Sequence, residues 1–203
     1  MSQVKDGEHL DSIQDISVID LILLDHRFLK LCISILKDHK TDQKTKVLTS
    51  KSFLKAIQAH TNAEKKAIYK PLENNQELHF HILEAQIEHG IIEQKIKKLR
   101  PRLSSVRKLS DEVEVEIKVL SEYLEKHLRE EESEILPRMK EELDDVSLNQ
   151  LGVHFMKLRK YTADDLRDYP KLENELIQWK DSVQKISSQY LRRMDKVVEN
   201  LRH

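Results

Sequence analysis

The sequence predicts an all-α protein, an up-down-up-down four-helix bundle with a C-terminal helical extension. Three observations carry that expectation. Only three glycines and four prolines punctuate 203 residues, and Leu, Ile, Lys and Glu dominate, a composition that favours helices. Apolar residues recur at three- and four-residue steps in four separate stretches, the period of a helix with one buried face. The connections between those stretches are short and polar, and short connections join antiparallel neighbours in a bundle.

The elements follow in order after a polar N-terminal segment, residues 1–15. The bundle itself is expected over residues 16–140. Its first helix carries Ile19, Leu23, His26, Leu29, Ile33 and Leu36 on one stripe, and a polar connection runs from His39 to Lys46. The second presents Phe53, Ile57, His60, Glu64, Ala67 and Ile68, and Pro71 marks its end, because a proline inside a helix removes a hydrogen bond and clashes with the preceding turn. The third has the cleanest rhythm, Leu78, Ile82, Ala85, His89, Ile92, Ile96 and Leu99, closed near Pro101 and Ser104-Ser105. Asp111 with Glu114 reads as a capping box for the fourth, whose stripe is Ile117, Leu120, Leu124, His127 and Glu131 before Pro137.

Residues 141–203 form the expected helical extension. Leu148 to Tyr161 reads as a short helix, and Thr162 to Asp165 as a further capping box. After Pro170, Leu172, Leu176, Trp179, Val183, Ile186, Tyr190, Val197 and Leu201 keep a heptad-like rhythm. That apolar face must be covered, by the bundle, by a second copy in a homodimer, or by a protein partner.

Charge excludes several functions. Charged residues make up 35% of the chain, yet the net charge is −1 with both signs interspersed. No basic stripe suggests nucleic acid, and no like-charge block suggests an interaction tail. Cys32 is the single cysteine, so no intrachain disulfide framework and no Cys-based zinc or iron–sulfur site is available. Its apolar neighbours make it a buried thiol. The first fifteen residues lack the apolar stretch of a signal peptide, and no run approaches a membrane span. A cytoplasmic setting without membrane or nucleic-acid partners is expected.

The chemistry concentrates in two copies of one pattern, His60-Thr61-Asn62-Ala63-Glu64 and His127-Leu128-Arg129-Glu130-Glu131. Four-residue spacing puts each imidazole and carboxylate on one helix face. His26 and His89 stand alone on the other two stripes. A single histidine on an apolar face is ordinarily a core or boundary residue, but four stripes each contributing one, with two glutamates, is a different matter. Burying Glu64 and Glu131 among aliphatic residues without a cation would cost several kcal/mol each, and the four stripes supply no Lys or Arg at matching positions. A pair of metal ions satisfies both carboxylates and all four imidazoles. The candidate ligands are therefore His26, His60, Glu64, His89, His127 and Glu131. Imidazole and carboxylate suit iron, and also manganese or zinc, whereas the lack of thiolates argues against a closed structural zinc site.

With these residues, and with the pairs Asp25-His26, Glu88-His89 and Glu131-Glu132 before Ile135-Leu136-Pro137, the sequence resembles the hemerythrin-like, or HHE cation-binding, domain over about residues 16 to 140. The resemblance implies two iron ions in a non-haem centre, bridged by two carboxylates and a solvent-derived oxo or hydroxo group, and held by the six candidates. It implies a protein that binds or senses a small ligand such as O2, NO or peroxide, or iron and redox state. The alternative is a di-iron enzyme acting on peroxide or NO, or in iron–sulfur cluster repair.

Two departures weigh against reversible oxygen storage. Oxygen-carrying members have a second histidine one turn before the third-helix ligand, where this chain has Ala85. They also close the fourth-helix motif with an aspartate at five-residue spacing, where Glu131 stands at four. Other residues near the stripes read as ordinary ones: Glu84 as solvent-facing, with replacement of the missing ligand as its alternative, and Tyr123 as a boundary tyrosine, with a hydrogen bond to a metal-bound ligand as its alternative. His79 and His81 are too far along the axis for the same centre, and His9, His39, His154 and His203 are surface residues.

Overall fold

A computed structural model describes residues 17–159. The expected polar segment over 1–15, the second capping box at Thr162 to Asp165 and the heptad-like element after Pro170 lie outside the described residues, as do His9 and His203. Seven α-helical segments follow in order: α1 Val18–Lys37, α2 Gln43–Glu64, α3 Lys70–Leu72, α4 His79–Leu103, α5 Asp111–Glu130, α6 Leu136–Glu142 and α7 Asp145–Arg159. Wider π-helical turns, Lys65–Tyr69 and Glu131–Ile135, join α2 to α3 and α5 to α6 without a break. The two compound rods, with α1 and α4, make the four-helix bundle, and all six described connections are helical turns or short loops.

Local chemistry explains where the helices start. Each first turn leaves backbone N–H groups without an intrahelical partner, and a short polar side chain fills the gap. Ile19 N donates to Ser17 Oγ at 3.2 Å, Thr45 N to Asp42 Oδ1 at 3.0 Å, and Ser147 N to Asp144 Oδ1 at 2.8 Å. The fourth bundle helix is capped by Ser110, whose hydroxyl accepts from Val113 N. The expected capping box is thus displaced by one residue. Asp111 lies inside the first turn, and Glu114 instead accepts from Gln43 across the bundle.

The π turns have a cause in the prolines. Pro71 and Pro137 each follow a π turn by two residues. A proline ring collides with the carbonyl four residues back, and widening the preceding turn to the i−5 partner relieves that clash. Lys70 N donates to Lys65 O and Leu136 N to Glu131 O in that wider register. Pro71 is therefore followed by one residue of helix, Leu72, before the rod ends.

Around the bundle α1 packs on α2, α2 on α4, α4 on α5 and α5 on α1. Polar pairs between neighbours give the directions: Gln58 with Arg100 and Lys65 with Glu93 for α4 against the α2 rod, Lys98 with Glu116 and Lys126 with Glu88 for α4 against α5. In both cases residue numbers rise on one helix as they fall on the other, so the pairs are antiparallel. The predicted inner stripes of the second, third and fourth helices are buried throughout. In α1 the buried face is broader than predicted and rotated. Val18, Leu21, Ile22 and Phe28 are buried while Ile19, Leu23 and Leu36 are only partly covered, because α7 covers a second side of α1. Cys32 is buried as expected, and burial pushes its thiol pKa up.

Candidate metal centre

All six expected residues meet in the middle of the bundle. His26, His60, Glu64, His89, His127 and Glu131 are each no more than 1% exposed. Donor atoms of His26, His60, Glu64 and Glu131 lie within 4.8 Å of one another, and those of Glu64, His89 and His127 form a second such group. Glu64 belongs to both. Its Oε1 is 3.2 Å from His60 Nε2 and its Oε2 is 3.4 Å from His89 Nε2. Glu131 spans the groups from the other side, with Oε2 3.3 Å from His26 Nε2 and 3.7 Å from His127 Nε2. Two carboxylates facing two donor groups each is the arrangement of a bridged pair.

The residues fit cations and little else. Both oxygens of Glu64, Oε2 of Glu131, and Nε2 of His26 and of His60 are buried without any hydrogen-bond partner. Buried polar atoms almost always have one, and orphans cost about 1–3 kcal/mol each. Five such atoms converging from three helical rods satisfy one another only through something they can all bind. The donors are nitrogen and oxygen, which suits divalent first-row metals.

Neighbouring carboxylates aim the imidazoles. His26 Nδ1 lies 2.9 Å from Glu132 Oε1, His60 Nδ1 3.1 Å from Asp25 Oδ2, and His127 Nδ1 2.7 Å from Glu88 Oε2. An ionised carboxylate only accepts, so each Nδ1 carries a hydrogen and each ring turns its Nε2 inward. The pairs Asp25-His26, Glu88-His89 and Glu131-Glu132 carry the family resemblance in the sequence, but these partnerships cross between helices. Asp25, Glu88 and Glu132 adjoin His26, His89 and Glu131, yet each acid serves a histidine of another rod. Adjacent residues point about 100° apart on a helix, so the neighbour of an inward residue faces the next helix.

His89 is the exception. Its Nδ1 has no partner, and its Nε2 lies 3.0 Å from His127 Nε2. His127 gives its Nδ1 hydrogen to Glu88, and one hydrogen is shared between its Nε2 and the Nε2 of His89. Coordination through that nitrogen requires the hydrogen to move to Nδ1 or leave.

Electrostatics separates the carboxylates. Burial, then the charge of Glu131, pushes Glu64 well above the ordinary carboxylate range. Burial opposes ionised Glu131 as well, but the facing His26 and His127 more than offset it and hold Glu131 low. Burial alone would lower His26, but the facing Glu131 and Glu132 carboxylates raise it. His89 is driven well below the usual histidine value, first by burial and then by His127.

Two further residues join the site. Tyr69, fully buried on the first π turn, donates its hydroxyl to Glu131 Oε1 at 3.0 Å. The tyrosine noticed in the sequence, Tyr123, is a half-buried boundary residue. Arg159 reaches in from α7 and donates through Nε to Asp25 Oδ2 at 2.8 Å. The four stripes themselves hold no Lys or Arg: this charge arrives from α7, a segment with no visible motif, and faces Asp25. Phe155 of α7 stands edge-on to His60, with ring centroids 6.2 Å apart.

Ala85 is buried on the same face as His89, and its methyl leaves an opening. A cleft of about 80 Å³ there is lined by His81, Glu84, Ala85, Glu88, His127, Glu130, Glu131, Glu134 and Ile135. Glu84 is exposed, as expected. His81 is absent from both donor groups but stands at the mouth of this cleft. His79 bonds the carbonyl of Glu73, and His39 and His154 are exposed. No helix among the described residues is long and apolar enough to cross a membrane.

Among curated proteins and among solved structures none matches the chain. The family described as the hemerythrin HHE cation-binding domain does, over residues 17–139. That match spans more than half of the sequence and includes all six buried donors and their three bracing acids, and the chain belongs to the hemerythrin HHE cation-binding family.

Proposed function

We propose that the protein is a non-haem di-iron protein that binds or senses a small ligand, O2, NO or peroxide, at a carboxylate-bridged centre held by His26, His60, Glu64, His89, His127 and Glu131. The observation that carries this reading is the set of five buried, partnerless donor atoms converging in the core. Two iron ions bound there would supply redox chemistry and open positions for a small molecule. The chain's part is to hold and orient. Glu132, Asp25 and Glu88 fix the inward nitrogens, and Tyr69 holds one oxygen of Glu131.

The donor groups are unequal. Four residues make the first and three the second, and the second lies beside the opening at Ala85. A family member that stored oxygen reversibly would gain from a further ligand there. The gap supports reactivity or sensing instead.

Anaerobic reconstitution with ferrous iron tests the reading directly. We expect two iron ions per folded chain, and an optical spectrum that changes on adding NO or peroxide. A chain that keeps its helical signal yet retains no iron would overturn it.

A further inference from the structure

We propose that the cleft beside Ala85 admits the metal, with Glu84, Glu134 and His81 forming a vestibule that captures a divalent cation and hands it to Glu131 and His127. The proposal rests on the metal-centre reading above and adds a route to it.

The cleft joins surface to core. Its outer lining is Glu84 and His81 from α4 and Glu134 from the second π turn, and its inner lining is Glu131 and His127. Its volume of about 80 Å³ compares with roughly 10–15 Å³ needed for one water, so a partly hydrated ion has space. At the inner end, Glu131 is 1% exposed and its Oε2 has no hydrogen-bond partner. A cation moving inward therefore finds a free carboxylate oxygen waiting. Ala85 is what keeps the passage open, since a larger side chain there would fill it.

The charges in the cleft are not all spent. Lys126 takes up Glu130 at 2.6 Å and Glu88 at 3.1 Å. Glu134 faces His81 at 3.6 Å, and Glu84 has no ion-pair partner among the described residues. What remains at the mouth is two exposed carboxylates and a partly covered imidazole, charge enough to attract a cation at a place open to solvent. A narrow cleft lined by one sign of charge concentrates ions of the other. An uncharged diatomic molecule gains nothing from such a lining. The opposite flank is shut by α7, with Phe155 buried against His60.

The test is the rate at which metal-free, full-length protein takes up Co2+, followed by its visible absorption at low and at high salt. Glu84→Gln with Glu134→Gln should slow uptake about 10-fold at low salt, the lower end of electrostatic focusing, and weaken its salt dependence. The amount of Co2+ finally bound should not change. Glu122→Gln with Glu141→Gln removes the same charge from exposed positions elsewhere and should leave the rate alone. Ala85→Leu should slow uptake at every salt concentration. Equal rates for the vestibule and control pairs would overturn the proposal. So would normal Co2+ uptake by Ala85→Leu with slowed access of azide, which would make the cleft a door for small ligands. A wild-type protein that binds no Co2+ would instead sink the metal-centre reading, and the route with it.

Discussion

Glu64 is the residue on which the centre turns. It faces both donor groups, neither oxygen has a partner, and burial raises its pKa well above the ordinary value. The direction fixes the sign of its effect. A carboxyl that holds its proton more tightly when folded contributes fully to stability below its unfolded value of about 4.5, and that contribution is lost as pH rises through the folded value. Metal-free protein near neutral pH therefore carries a penalty that Glu64→Gln removes. We expect this substitution to stabilise the metal-free chain by about 1 kcal/mol or more, or about 2–4 °C in midpoint for each kcal/mol. The same substitution should abolish loading of the pair. Thermal melts of both variants, with and without ferrous iron, check the two opposite signs together; a metal-free midpoint that falls would contradict the account.

At the scale of elements, α7 reaches the centre through the buried Arg159–Asp25 ion pair and through Phe155 against His60. Burial works against ionised Asp25, yet Arg159 and His60 outweigh it and lower its pKa to about 2. A depressed carboxyl stabilises the fold above its unfolded value of 3.8, and this is lost as pH falls toward 2. Arg159→Met keeps the length of the side chain and removes the guanidinium that faces the buried carboxylate. We expect a loss of about 3–5 kcal/mol, the usual result of breaking a buried pair from one side. Asp25→Asn in the same chain should return part of it, because the amide oxygen still accepts from His60. Chemical denaturation at neutral pH measures both. If Arg159→Met costs under about 1 kcal/mol, α7 is merely packed against the bundle.

The whole molecule assembles two unequal halves. The first group has four donors, and both its imidazoles are braced. The second has three, and its His89 lacks a brace at Nδ1 and shares a hydrogen at Nε2 with His127. Bracing partners are worth about 10–100-fold in metal affinity. Titration with ferrous iron or Co2+ should therefore proceed in two steps, with the first equivalent at least about 10-fold tighter. His89→Ala should remove the second step and spare the first. Calorimetry of both proteins reads this, and a single step that disappears altogether in the variant would mean that the two groups act only as one.

The sequence by itself determined the four-rod architecture and the six candidate donors, because both depend on helical period. A buried stripe repeats every three to four residues, and a histidine or glutamate inside it has nowhere to point but the core. Period also set limits. On α4, Phe80, Leu83, Ile87 and Ile91 are exposed while Ile82, Ala85, Ile92 and Ile96 are buried, so hydrophobicity occupies a second face beside the stripe. The tertiary structure decided what lies between helices. Asp25, Glu88 and Glu132 are visible beside the motif residues, but which histidine each one serves depends on how neighbouring rods are turned. Tyr69 reaches Glu131 and Arg159 reaches Asp25 across 62 and 134 residues of sequence. The cleft at Ala85 likewise needs α4 set against the second π turn. Contacts of that kind follow from packing geometry, and no single helix's sequence contains it.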